Sequence, residues 1–203
     1  MAGILHLDAS PRGERSISRQ LSREFIEGWM LRHPADSVVN RDVGRHPVPH
    51  VTEAWVVGAF TPLETRPADA QAAMRLSDVL IEEFLAADRY VFGVPMHNFC
   101  VPSMFKAYVD QIVRVGRTFS TEGRGLALGK KMLIVSARGG NYAPGSPMQV
   151  FDHQAPWLRT IFGFVGITDI TFIHAQGLNM GDELREAGLK CAQERIVELL
   201  KSW

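Results

Sequence analysis

The sequence predicts an α/β fold built on one five-stranded parallel sheet, and three observations lead there. Five short strand-like runs, residues 4–9, 37–43, 90–94, 131–136 and 169–174, are bounded by turn residues. Longer segments with helical periodicity separate them, the alternation produced when crossover helices join parallel strands. The chain has 203 residues, 46% of them hydrophobic and 22% charged, which suits one well-cored domain spanning residues 1–203.

The elements are justified in chain order. Residues 4–9 form the first strand, and a helix is expected over 18–31, where Leu21, Phe25, Ile26 and Trp29 recur at three- and four-residue steps. Residues 37–43 form the second strand. Pro47, Pro49, Pro62 and Pro67 then interrupt any long helix, leaving space for a short one over 53–59. The Ala- and Leu-rich stretch 68–87 predicts a long helix lined on one side by Met74, Val79, Leu80, Phe84 and Leu85. After the third strand, Pro102 fits the first turn of a helix carrying Phe105, Tyr108, Val109, Ile112 and Val113 inward. A fourth strand, a helix over 147–162, a fifth strand and a terminal helix over 182–201 complete the pattern.

A sheet of this kind commonly runs in the order 2-1-3-4-5, the flavodoxin-like three-layer sandwich with helices on both faces. Ligands in such sheets bind beyond the carboxyl ends of the strands, near the switch in strand order, so the loops after strands one, three and four are the candidate site.

The first loop, residues 10–18, offers the hydroxyls of Ser10, Ser16 and Ser18 and opens a helix whose free N–H groups favour an anion. Arg12 and Arg15 supply charge nearby. Neither G-x-G-x-x-G nor G-x-x-x-x-G-K-[ST] occurs there, which points to a terminal monophosphate; ordinary capping by Ser16 or Ser18 is the competing explanation. The loop after strand three, Pro95, Met96, His97, Asn98, Phe99 and Cys100, is apolar and aromatic with prolines at 95 and 102. It suits a flat ring held against backbone, or plain packing between strand and helix. After strand four, Ala137, Arg138, Gly139 and Gly140 let backbone approach a ligand closely, with Arg138 in reach of an anion or an aromatic ring. A hydroxyl loop, a stiff apolar loop and a glycine loop at one sheet edge together favour a phosphorylated heterocycle.

Composition narrows the partners. Lys plus Arg is 22 and Asp plus Glu is 22, so there is no basic field to hold nucleic acid. No run of about 18 apolar residues is present to span a membrane, and the N-terminal residues carry no basic region ahead of an apolar one, so neither membrane nor secretion is expected. Cys100 and Cys191 are too few for a disulfide framework and fit a reducing cytoplasm. Histidines 6, 33, 46, 50, 153 and 174 have no metal-binding spacing, so no metal is expected.

In combination these segments resemble the FMN-dependent NADH azoreductases, a group of quinone and azo reductases. Ser10 followed by Ser16-Ile-Ser18 and Gln20-Leu-Ser22, then Pro95-Met-His-Asn-Phe99, is similar to that family's phosphate and ring loops in order and spacing. Lys106-Ala-Tyr-Val-Asp110, Gly116-Arg-Thr-Phe119, Arg138-Gly-Gly140 and the segment from Gly163 to Asp169 extend the likeness almost to the C-terminus. Ile17, His97 and Ala137 stand where the family usually has glutamine, tyrosine and serine, and the loop after Phe119 is short.

The resemblance implies a homodimeric flavoprotein oxidoreductase that binds FMN noncovalently, takes hydride from NADH or NADPH and reduces quinones or azo compounds in alternating half-reactions. It assigns the phosphate to Ser10, Ser16, Ile17 and Ser18, and the ring to Pro95, Met96, His97, Asn98 and Phe99 on one side and Ala137, Arg138, Gly139 and Gly140 on the other. His97 is either a proton donor to the acceptor or an orienting wall residue. The apolar stretch 156–165 is either subunit interface or core. A flavodoxin-type electron carrier and a flavin-free binding protein are the alternatives on the same scaffold.

Overall fold

The computed structural model describes residues 1–203. Strands β1 (Gly3–Asp8), β2 (Ser37–Asp42), β3 (Arg89–Gly93), β4 (Lys131–Ala137) and β5 (Asp169–Ala175) pair in parallel in the order β2-β1-β3-β4-β5. Six helices connect or succeed them: α1 (Ile17–Arg32), α2 (Glu53–Phe60), α3 (Ala68–Ala86), α4 (Ser103–Ile112), α5 (Gln154–Phe164) and α6 (Asp182–Leu199).

Strand side chains alternate between two cores, as a twofold pleat requires. Ile4, Val91, Leu133 and Val135 pack against Leu21, Phe25 and Trp29 of α1 and Ile196 of α6. Leu5, Leu7, Tyr90, Phe92, Met132 and Ile134 face the other way, onto Leu80 and Phe84 of α3, Phe105 and Tyr108 of α4, and Leu158 and Phe162 of α5. Both faces are covered, and the strand ends present their loops along one edge.

Three expectations are corrected. The helix expected from residue 147 begins at Gln154, after a 3-10 turn at Gln149–Phe151. Pro144, Gly145 and Pro147 break the earlier residues, and the Asp152 carboxylate caps the new start by accepting from the backbone N–H groups of Gln154 and Ala155, both at 3.1 Å. Val79 is exposed, because the buried stripe of α3 runs through Met74, Ser77, Leu80, Ile81 and Phe84. Pro102 stands just ahead of α4 with extended ψ, one position outside the first turn.

The apolar stretch 156–165 divides between core and surface. Leu158, Phe162 and Val165 are buried, while Trp157 and Ile161 line a surface groove with Val51, Trp55 and Val113, and Phe164 is exposed. No helix is long and apolar enough to cross a membrane.

Candidate functional site

The loop after β1 forms because Ser16 caps α1: its Oγ accepts from the Arg19 N–H at 3.4 Å, and the Ser18 hydroxyl lies 3.1 Å from it. The Ser10 Oγ accepts from the Arg12 N–H at 3.3 Å. Ser10, Ser16 and Ile17 face a cleft of about 240 Å³, with Ser18 behind them. Arg12 lines the cleft, whereas Arg15 is exposed and outside its lining. Capping and an open anion site therefore coexist, since the cap uses one lone pair of Ser16 and the helix start keeps its dipole.

The loop after β3 is a tight turn. His97 and Cys100 exchange backbone hydrogen bonds of 3.0 and 2.9 Å. Its central residues, Asn98 and Phe99, are the only non-glycine residues with positive φ, at 46° and 69°. Their amides donate to nothing within the chain. Backbone held in this sparsely populated region marks a place where the surroundings enforce geometry. Pro95, Met96 and His97 line the cleft, while Asn98 and Phe99 form the tip beyond it. The Phe99 ring packs on Phe151 and Tyr142, with centroids 5.3 and 6.3 Å away.

The loop after β4 contributes Ala137, Arg138 and Gly139 to the wall, with Gly140 just outside it. A Cβ at 139 would stand 2.7 Å from the Asn179 Nδ2, so glycine there leaves the Asn179 side chain its place beside the loop. The Arg138 guanidinium does not reach into the cleft as a free cation. It is buried and paired with Asp152, Nη1 to Oδ2 at 2.8 Å, which ties the glycine loop to the start of α5. Gln154, fully buried, completes the support by donating from Nε2 to the carbonyls of Val94 and Pro95, both at 3.1 Å.

Leu178 and Asn179, from the segment joining β5 to α6, and Arg185, in the first turn of α6, also line the cleft. Sequence inspection confined to the first, third and fourth loops missed them. The available signal was the same one: Gly177 and Gly181 bracket a polar residue at the carboxyl end of a strand. Arg185 is oriented by the Leu178 carbonyl, which its Nη1 reaches at 3.2 Å.

The electrostatics are one-sided. No Asp or Glu lines the cleft, and Arg12 and Arg185 have no carboxylate within 4.0 Å, so a chain of zero formal charge has assembled a local cationic site. Burial pushes the His97 pKa below its ordinary value, leaving a neutral imidazole at pH 7. That state suits a wall residue or neutral hydrogen-bonding group better than a charged acid. Serine hydroxyls, a helix start and unpaired guanidinium groups, facing two loops of close-approaching backbone, fit a flat heterocycle bearing a phosphate.

Comparisons with known proteins give the family and the fold. A family model described as a flavodoxin-like fold matches residues 2–200. The chain is 54% identical to an FMN-dependent NADH:quinone oxidoreductase of Trichormus variabilis and 55% identical to one of Nostoc punctiforme, covering the whole of each. Among solved structures, an azoreductase from Bacillus anthracis superposes with a TM-score of 0.91 at 26% identity, with both chains fully covered. An FMN-dependent NADH-azoreductase from the same species, solved in complex with FMN, superposes with a TM-score of 0.84 at 24% identity, over 98% of this chain and 99% of that one.

Proposed function

The chain belongs to the flavodoxin-like family that includes the FMN-dependent NADH:quinone oxidoreductases, and from that premise we propose that it binds FMN in the acid-free cleft and reduces quinones and azo compounds with electrons from a nicotinamide. The observation that carries the reading is the two-ended cleft itself. Serines and a helix start lie towards α1, and Met96–His97 and Ala137–Gly139, joined where the Met96 N–H donates to the Ala137 carbonyl at 3.0 Å, line the rest side by side.

The chain's own residues bind, orient and shield. Ser10, Ser16 and the first amides of α1, including that of Ile17, take the phosphate, with Ser18 supporting Ser16. Met96, His97 and Ala137–Gly139 hold the ring, and the free amides of Asn98 and Phe99 present donors at its edge. FMN, when bound, supplies the redox chemistry, accepting two electrons as hydride and passing them on. The protein needs no catalytic triad for this, and His97 serves as an orienting neutral group. Donor and acceptor use the cleft mouth in turn, which predicts parallel double-reciprocal lines; intersecting lines would require both to bind at once.

NADH is the donor carried in the names of the relatives, and NADPH is tested beside it. A homodimer in the cytoplasm completes the proposal. The exposed Val56, Phe60 and Leu63, and the surface groove that Trp157 and Ile161 share with Trp55, support a subunit contact, and the two unpaired cysteines suit a reducing compartment. A monomer mass independent of concentration would remove the dimer.

The deciding experiment is anaerobic reduction of FMN-loaded protein by NADH and by NADPH, then exposure to a panel of quinones, azo dyes and nitroaromatics. Bleaching of the flavin by a nicotinamide and its return on adding a quinone are expected. Failure of both nicotinamides to bleach it would move the protein to the electron carriers.

A further inference from the structure

Beneath the first loop lies a buried cation that takes no part in lining the cleft. Arg19, in the first turns of α1, is 3% exposed. Its Nε and Nη2 both donate to the carbonyl oxygen of Ser10, at 3.0 and 2.7 Å. Nη1 and Nη2 grip Asp42 at the end of β2, at 2.7 and 2.5 Å, and Nη1 also reaches Asp8 at the end of β1, at 3.3 Å. A guanidinium has five N–H bonds, and these contacts use all of them. No donor remains for a ligand.

The carbonyl that Arg19 holds belongs to an unusual peptide. Residue 11 is proline, so the peptide joining Ser10 to Pro11 has an acceptor and no N–H. Turned towards a phosphate, that carbonyl would set a negative oxygen against a negative ligand. Turned inward, it leaves the Ser10 hydroxyl and the amides of the helix start to face the cleft. Gly44 closes the arrangement from the other side: a Cβ there would stand 2.2 Å from the same carbonyl oxygen. The backbone amide of Arg45 bonds to Asp42 at 2.9 Å and braces the carboxylate that braces Arg19.

We propose that Arg19 is a positioning residue for phosphate recognition, acting by withdrawing the Ser10 carbonyl from the cleft and locking the loop between the ends of β1 and β2. The proposal rests on the FMN reading of the cleft and adds a residue to it. Its chemistry predicts a selective effect, because riboflavin has the ring and lacks the phosphate. Damage confined to this device lowers affinity for FMN and spares affinity for riboflavin, whereas general loosening of the site lowers both.

The test measures FMN and riboflavin dissociation constants, by flavin fluorescence, for wild type, Arg19→Lys, Arg19→Met and Gly44→Ala. Lysine keeps the charge and loses the fork; alanine at 44 presses on the carbonyl and leaves every charge in place. Expected is a fall of about tenfold in the ratio of FMN to riboflavin affinity, the scale of one lost charge-assisted hydrogen bond to the phosphate. If Arg19→Met fails to fold because two carboxylates lose their cation, Arg19→Lys and Gly44→Ala carry the test. An unchanged ratio in folded Arg19→Lys and Gly44→Ala, or an equal loss for both flavins, overturns the proposal. Wild-type protein that binds no FMN overturns the functional reading itself, and this inference with it.

Discussion

His97 and Cys100 are joined by a reciprocal pair of backbone hydrogen bonds, and this closure forces Asn98 and Phe99 into the left-handed region. The turn spends its outer amides on itself and leaves its two central amides free. Asparagine tolerates this backbone better than most residues, whereas a β-branched side chain does not. Asn98→Gly is therefore expected to leave stability near wild type, and Asn98→Val to lower it by about 1–3 kcal/mol. Denaturant unfolding of the two variants checks this; equal stabilities would show that the turn is not under the stated strain.

Ser16 serves the helix and the ligand with one hydroxyl, and two substitutions separate these roles. Ser16→Ala removes the cap bond to the Arg19 N–H and should cost about 1 kcal/mol of stability together with FMN affinity. Ser16→Asp keeps a good cap and sets a negative charge against the phosphate. It should unfold close to wild type while binding FMN at least as poorly as the alanine variant. Tight FMN binding by Ser16→Asp would place the phosphate elsewhere.

Gln154 holds the carbonyls of Val94 and Pro95 from a fully buried position. Gln154→Leu fills the space and strands both acceptors, so a loss of about 1–3 kcal/mol is expected. Because the loop it supports faces the ring, FMN and riboflavin should weaken together, in contrast to Gly44→Ala. A calorimetric series with both flavins distinguishes the two patterns.

His174 on β5 has its pKa drawn down to about 3, chiefly by burial and further by the Arg138 charge. The unfolded chain takes up this proton near pH 6.5, and the folded protein only near the lowered value. The neutral imidazole thus contributes stability that is fully present above about 6.5 and is lost progressively as the pH falls from there towards 3. One such group gives a slope of about 1.4 kcal/mol per pH unit within that window. His174→Leu should flatten the fall in unfolding free energy between pH 6 and 4 by up to about that amount per unit, whatever its effect at pH 7. An unaltered slope would show that the imidazole is hydrated in the folded state.

The layers of the fold were legible because they rest on periodicity. The stripe of Leu21, Phe25, Ile26 and Trp29 appears in the structure as buried residues of α1, and the five strands fall within a residue or two of their expected limits. What was not legible depended on contacts distant in sequence. Arg138 looks like an available cation until Asp152 is placed beside it. Arg19 looks like a surface residue of an amphipathic helix until the ends of β1 and β2 converge on it. Val79 reads as core by hydrophobicity alone, and only the exact phase of α3 turns it outward. Likewise, the start of α5 depended on a capping carboxylate at Asp152 that hydropathy does not reveal.

The absence of acidic side chains from the cleft also governs encounter. Arg12 and Arg185 line the cleft with no carboxylate paired to either, so an anionic flavin or dinucleotide meets cations at that edge of an otherwise balanced molecule. Their attraction operates over about 10 Å at 0.1 M salt and shortens as salt is added. Stopped-flow capture of FMN should therefore slow with ionic strength while capture of uncharged riboflavin does not. The cleft selects its ligands partly by the rate at which they arrive.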